Sequence, residues 1–277
     1  MMRFSVIGAG KVGRVLAQRF HASAAFQVQQ ILNRTLPSAQ QACAFVGAGT
    51  AVADWAQLTP ADVWMLAVGD DHLAAVCQQL VKQDVLQPGS VVFHCSGSKA
   101  STELQAATAA GAAVASVHPV RSFANPALVA ADFSGTICSV EGDALALDIL
   151  SPALQRAGAT LVQISAANKL LYHAGSVFAS NYLVTLIEVA LQTYAAAGIP
   201  SQQALAMAAP LARQSLENAL TMGCATALTG PIARGDLETV SRQQAAVQCW
   251  NRDAGELYRS FVPLTRQLAS KRHHSEK

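Results

Sequence analysis

Through the first 165 residues, short runs in which nearly every position is apolar alternate with stretches whose apolar residues recur at helical spacing. Phe4–Ile7, Phe26–Asn33, Val63–Val68, Ser90–His94 and Ala113–His118 are the apolar runs, and turn-forming or polar residues separate them. A strand buried on both faces has this look, and strands alternating with helices build βαβ units around a parallel sheet. Thr136–Val140 and Thr160–Ile164 flank a helical stretch at Ala144–Arg156 and extend the same sheet. After Ser165 the strand pattern stops. A helix of about thirty residues runs to Ala197 and ends at Gly198-Ile-Pro200, a glycine stop followed by proline. Ser201–Leu220 and Asp236–Leu268 continue in helical period on either side of the turn-rich Thr229–Gly235. The expected fold is α/β: an N-terminal Rossmann domain with a doubly wound, mostly parallel sheet over residues 1–165, and an all-helical C-terminal domain over 166–277.

Composition narrows the function classes. Hydrophobic residues make up 52% of the chain and charged ones 13%, which suits a large packed core and argues against disorder. With a formal charge of +2 and no run of Lys or Arg, neither nucleic acid nor an anionic membrane surface is an expected partner. The six cysteines form no C-x-x-C pair, so they read as small buried apolar residues in a reducing compartment, and no metal site is expected. The first strand starts close to Met1, leaving no room there for a secretory leader, so a cytoplasmic location is expected. Leu170–Ala197 is apolar but carries His173, Asn181, Glu188 and Gln192, which predicts a core helix rather than a membrane span. The polar Ser270–Lys277 is expected to fray.

Gly8-x-Gly10-x-x-Gly13 follows the first strand directly and opens a helix at Lys11 and Val12. In that setting the first glycine makes a tight turn and the second lets the backbone approach a pyrophosphate. The third permits close helix–strand packing, while the helix N-terminus offers N–H groups to the anion. The second strand ends at Asn33-Arg34-Thr35, with none of the acidic residues that would hold an NAD ribose 2′-hydroxyl. The guanidinium fork of Arg34 suits a 2′-phosphate, with Asn33 and Thr35 adding hydrogen bonds, so NADP is expected in preference to NAD.

Ligands of doubly wound sheets bind beyond the carboxyl ends of the strands. Three such ends are polar here: Val68-Gly69-Asp70-Asp71, His94-Cys-Ser96-Gly97-Ser98-Lys99 and His118-Pro-Val-Arg121-Ser122-Phe123. On the long helix, Lys169, His173, Ser176 and Ser180 fall on one stripe, with Asn181 to its side.

Taken together, these loops, Lys169-x-x-x-His173, Ser180-Asn181 and Thr229-Gly-Pro-Ile-Ala-Arg-Gly-Asp236 resemble the Rossmann-like proteins that carry a DUF2520 C-terminal domain. The resemblance covers nearly the whole chain and implies an oxidoreductase of unassigned substrate. In layout that group is similar to the β-hydroxyacid dehydrogenases and pyrroline-5-carboxylate reductases. It implies that Lys169 matches the catalytic lysine of the hydroxyacid enzymes, although His173 stands where they carry asparagine. His94-Cys95-Ser96 resembles their Asp-x-Ser motif, and Pro119-Val120-Arg121-Ser122 their Pro-Val-Ser loop with an arginine inserted. His118-Pro119 is also similar to the His-Pro loop of prephenate dehydrogenases, whose serine is replaced here by Gly97. In the reductases a Gly/Pro-rich loop near the place of Thr229–Asp236 closes over the site, which puts Arg234 with the substrate side.

The expected activity is hydride transfer between NADPH and a small carbonyl or imine compound, with a keto or hydroxy acid in view. Lys169 or His118 is the expected proton donor, and His173 lies beside the lysine to tune it. Ser96, Arg121, Ser122, Asn181 and Arg234 are the expected substrate contacts; Gly8, Gly10, Lys11, Val12, Gly13, Asn33, Arg34, Thr35, Val68 and Gly69 the expected cofactor contacts. A homodimer through the apolar C-terminal helices is expected. A prephenate-like dehydrogenase, or a non-catalytic NADP(H) sensor, remains open at this point.

Overall fold

The computed structural model describes residues 1–272, so of the tail expected to fray, His273–Lys277 lie outside the described residues. Eight strands form one sheet: β1 (Arg3–Ile7), β2 (Gln27–Leu32), β3 (Thr50–Val52), β4 (Val63–Leu66), β5 (Val91–His94), β6 (Ala113–Pro119), β7 (Ile137–Gly142) and β8 (Thr160–Gln163). Their order is β3-β2-β1-β4-β5-β6-β7-β8, which contains the Rossmann order 3-2-1-4-5-6 with two strands added at one edge. All neighbours run parallel except β6 and β7. The hydrophobic pattern does not signal β3: it has three residues at the sheet edge, and only Val52 is buried.

Alternate residues of the central strands feed two cores, as period-two side-chain placement requires. Phe4, Val6, Met65 and Phe93 face the helices α1 (Lys11–Ala22), α5 (Pro126–Ala131) and α6 (Ala144–Arg156). Phe4 stacks on Phe93 and meets Phe20 of α1 edge-on at 5.5 Å. Ile7, Trp64, Leu66 and Val92 face the other way, toward α3 (Leu73–Val81) and α4 (Gln105–Ala109). Helix α2 (Leu36–Val46) follows β2 and starts at Thr35, whose hydroxyl accepts the Ser38 N–H. Sandwiching between helices explains why these strands are uniformly apolar.

The chain forms two compact units, Met1–Phe178 and Ala179–Lys277. The first therefore contains α7 (Lys169–Val177), the opening of the long helix. A π turn at Phe178–Tyr182 interrupts that helix before α8 (Leu183–Ala196). The expectation of a buried core helix is corrected. Ala166–Ala196 is by length and composition apolar enough to cross a membrane, and none of its most apolar window is buried.

The second unit adds α9 (Ser201–Met222), the short α10 (Cys224–Ala227), α11 (Leu237–Trp250) and α12 (Arg252–Arg272). The single helix expected over Asp236–Leu268 is two. Asn251 takes an extended backbone, and its side chain accepts the Ala254 N–H, so it ends one helix and caps the next. Among the described residues of this unit only small or branched side chains such as Ala204, Ala208 and Val240 are buried, whereas Val184, Leu211, Leu220 and Leu264 are exposed.

Candidate functional site

The glycine turn after β1 divides its labour as the sequence predicts. Gly8 has φ +86°, and a Cβ there would lie 2.5 Å from Val68 Cγ1, so both conformation and space require glycine. A Cβ on Gly13 would stand 2.8 Å from the Ala67 side chain, which is how α1 comes down onto the end of β4. At Gly10 a Cβ would meet nothing within 4 Å. The middle glycine therefore faces open space at the N-terminus of α1, where backbone N–H groups are free to meet an anion. This is the cradle a dinucleotide pyrophosphate needs, so the residues present fit the cofactor that the turn implies.

The three residues ending β2 take different positions. Asn33 accepts the Ala9 N–H at 2.7 Å through Oδ1 and donates to Ser38 at 3.0 Å, tying the glycine turn to α2. Thr35 caps α2. Arg34 is exposed, and none of the hydrogen bonds or ion pairs among the described residues involves it.

A cleft of about 380 Å³ opens at the carboxyl ends of the strands, where the order reverses between β1 and β4. It brings together Lys11, Val12, Val68, Gly69, Ser96, His118, Arg121 and His173 from the predicted set, with Asp70, Cys95, Gly97 and Phe123 beside them. The rings of His118 and His173 meet edge to face with centroids 5.4 Å apart. A Cβ on Gly97 would fall 2.2 Å from His173 Nδ1 and 2.9 Å from His118 Cε1, so both rings close over a bare backbone. His173 Nδ1 is buried and has no hydrogen-bond partner among the described residues. His118 Nδ1 lies 2.9 Å from the Tyr172 hydroxyl. Burial, reinforced by His173 and Lys169, pushes the His118 pKa down to about 4, so the ring is neutral at pH 7.

The second strand-end histidine, His94, has a structural role. Its Nδ1 accepts the Ser96 N–H at 3.1 Å, so its Nε2 donates to the Ala100 carbonyl at 3.0 Å. That fixes a neutral tautomer, and burial lowers its pKa. Ser96 Oγ in turn accepts the N–H groups of Ser98 and Lys99, and Ser98 donates to Asp70 at 2.6 Å. These bonds set the shape of the cleft floor.

Lys169 does not line the cleft. Its side chain is 1% exposed, and Nζ donates to Ser116 Oγ at 2.7 Å, with Glu141 Oε1 at 4.0 Å. Register explains the meeting: antiparallel pairing sets Glu141 of β7 opposite Ser116 of β6. The Glu141 carboxylate also accepts the Ser101 N–H and hydroxyl, each at 2.8 Å. Burial lowers the lysine's pKa, and Glu141 opposes that shift.

The other predicted substrate contacts are tied up or lie outside the cleft. The Arg121 guanidinium, expected to clamp a substrate carboxylate, is held by Asp132 at 2.8 Å and by Thr136 at 3.1 Å. Ser122 is exposed and does not line the cleft. Asn181 and Arg234 are exposed residues of the second unit, Asn181 within the π turn.

Ser116, Glu141, Asp70, Gly97 and Tyr172 are absent from the predicted set. Ser116 and Glu141 are polar letters inside otherwise apolar strands, which is the signal that could have found them.

The sheet order, glycine turn and strand-end cleft define a Rossmann-class α/β protein with a helical C-terminal part. More particularly, residues 1–119 match the Rossmann-like domain and residues 136–265 match DUF2520, a domain of unknown function, so the chain is a Rossmann-like/DUF2520 protein. The second match begins at the head of β7, so two strands of the sheet belong to it. Protein TM1727 from Thermotoga maritima is similar at 24% identity and TM-score 0.75, over 98% of this chain and 99% of that one. BF3122 from Bacteroides fragilis, named for an inferred NADP oxidoreductase activity, is similar at 18% identity and TM-score 0.76, over 96% and 98%. A Plasmodium falciparum pyrroline carboxylate reductase with NADP bound shares the fold at 11% identity and TM-score 0.57, over 97% and 98%. No curated protein matches the sequence.

Proposed function

We propose that the chain is an NADP-dependent oxidoreductase acting on a small carbonyl or imine substrate in the strand-end cleft. The observation that carries this is the open face of Gly10 at the N-terminus of α1, in a turn that borders a cleft lined by two histidines. The NADP-bound reductase of the same fold supports the choice of cofactor class. Gly8, Gly10 and Gly13 would shape the pyrophosphate cradle, and Lys11 and Val12 would open the helix above it. Arg34, exposed and unengaged, would meet the 2′-phosphate. When bound, the reduced nicotinamide supplies hydride. His118 and His173 line the cleft and would meet the substrate's reacting end. Proton donation therefore falls to the histidines, with Lys169 held behind them on Ser116 and Glu141.

Titration of the purified chain with NADPH and NADH, followed by NADPH oxidation against keto acids and cyclic imines, tests the proposal. Tight NADPH binding with turnover of one class is expected. Absence of binding to both nucleotides would overturn it.

The exposed apolar side chains of α8 and α9 support a homodimer that covers them. Sedimentation equilibrium is expected to give twice the chain mass of 28.9 kDa, and a monomer at micromolar concentration would count against it.

A further inference from the structure

Tyr172 meets His118 at the wall of the cleft. We propose that Tyr172 fixes His118 as its Nε2–H tautomer, so that a neutral imidazole N–H faces the cleft and receives the oxygen of a carbonyl substrate. The proposal rests on the oxidoreductase reading and deepens it, because it names the reacting group.

The geometry comes first. The Tyr172 hydroxyl is 2.9 Å from His118 Nδ1, and the rings meet edge to face with centroids 5.8 Å apart. His118 ends β6 and lines the cleft, while Tyr172 lies on α7 one residue before His173. A neutral imidazole carries one proton, so the hydroxyl decides which nitrogen has it. Burial pushes the Tyr172 hydroxyl up, so the phenol keeps its proton, and in the proposed arrangement it points that proton at Nδ1, 2.9 Å away. The ring proton is then on Nε2.

Burial keeps the ring neutral, with His173 and Lys169 adding to it and Asp70 opposing. From α7 it faces Tyr172, His173 and the Lys169 ammonium; from the end of β4, Asp70; from the segment after β5, Cys95; and across the β6–β7 pairing, uncharged Ser139. Lys169 is held in place by Ser116 and Glu141, and a second cation beside it is disfavoured. Lys169 thus acts through His118 and not on the substrate.

A neutral N–H donor discriminates between reacting groups. A carbonyl oxygen has lone pairs to accept the bond and gains negative charge as its carbon is reduced, so the bond strengthens along the reaction. A protonated imine has no lone pair on nitrogen and loses charge, so the same donor gives it nothing. Ketone or aldehyde substrates are therefore favoured over cyclic iminium ones. As the carbonyl carbon takes hydride, the two electrons come from the reduced dinucleotide and the C=O π pair moves onto oxygen. The Nε2 proton passes to that alkoxide as the Tyr172 proton moves to Nδ1; water in the cleft then returns a proton to Nε2, and the Nδ1 proton goes back to the phenolate, restoring the starting tautomer.

Ring-nitrogen NMR on ¹⁵N-histidine protein, with the His118 signals assigned by their loss in His118→Gln, reads the tautomer without cofactor. At pH 7 Nδ1 should be the unprotonated nitrogen. Tyr172→Phe should mix the tautomers and lower kcat on a keto substrate about tenfold or more at unchanged NADPH affinity. A protonated Nδ1 in the unaltered protein would overturn the proposal, and so would a tautomer and kcat that ignore Tyr172→Phe. If Tyr172→Phe does not fold, the measurement on the unaltered chain still decides. Preferred turnover of cyclic imines would overturn the substrate class alone. Failure of the nucleotide titration would overturn the oxidoreductase reading, whatever the tautomer.

Discussion

Lys169 and Glu141 form an ion pair, Nζ to Oε1 at 4.0 Å, with side chains 1% and 5% exposed. Both charges have left water, and each is satisfied largely by neighbours: Ser116 for the lysine, Ser101 for the carboxylate. Removing one partner of such a pair strands the other, a loss of about 3–5 kcal/mol. Lys169→Met should therefore lower the unfolding free energy by about that much, and Glu141→Gln should do the same. The double variant should be more stable than the sum of the two losses predicts. Urea unfolding of the four proteins checks this, and strict additivity would mean the pair is not coupled.

The Asn33–Ala9 hydrogen bond separates two roles that the sequence places side by side. Asn33→Ala removes the acceptor that pins the glycine turn to α2, a loss of about 1 kcal/mol in turn order. Binding of NADPH and NADH should weaken together, by about fivefold. Arg34→Ala should weaken NADPH about tenfold or more and leave NADH nearly unchanged, because only one of them carries a 2′-phosphate. Calorimetric titration of each variant with both nucleotides decides. Equal losses in Arg34→Ala would remove the arginine from phosphate recognition.

The glycine turn, the sheet and the strand ends were legible because each rests on local signals. Gly8, Gly10 and Gly13 sit at fixed offsets after an apolar run, and a buried parallel strand is uniformly apolar. What stayed hidden depends on register and on long-range partners. Lys169 and His173 share a helical stripe, yet one turns to Ser116 and Glu141 while the other closes over Gly97. Nothing local says that β7 runs antiparallel and sets Glu141 beside Ser116. Arg121 looks like a free fork until the fold brings Asp132 to it. β3 escaped because three residues are too few to carry a period. The break at Asn251 stayed hidden because the helical period continues on both sides of it.

Of the two glycines that line the cleft, Gly97 leaves far less room than Gly69. A Cβ there would lie 2.2 Å from His173 Nδ1 and 2.9 Å from His118 Cε1, so Gly97→Ala must push both rings aside. Misplacing reacting groups by about 1 Å can cost about a hundredfold in rate. Gly97→Ala should therefore lose about that much turnover with a much smaller effect on NADPH affinity, since the atoms its methyl displaces belong to the two histidine rings and not to the glycine turn. Stopped-flow single turnover with nucleotide titration separates the two effects, and unchanged turnover would remove the histidine pair from the chemistry.

Two histidines make the fold acid-sensitive at a defined place on the pH scale. Burial holds His118 at about 4 and pushes His94 down as well, against an ordinary value of about 6.5 in an unfolded chain. Between those values the unfolded chain binds protons that the folded one refuses, so acid favours unfolding. Stability should be full above about pH 6.5, fall as the pH drops toward about 4, and gain no further loss from His118 below that. Asp62, held low by Arg3, adds its own loss as the pH falls through and below the ordinary carboxylate value of about 4, at the acid edge of this window. Urea midpoints from pH 7.5 to 4 should trace the decline, and His118→Gln should flatten part of it. A midpoint constant from pH 7 to 5 would mean that His118 takes up its proton as readily in the folded protein as in the unfolded chain.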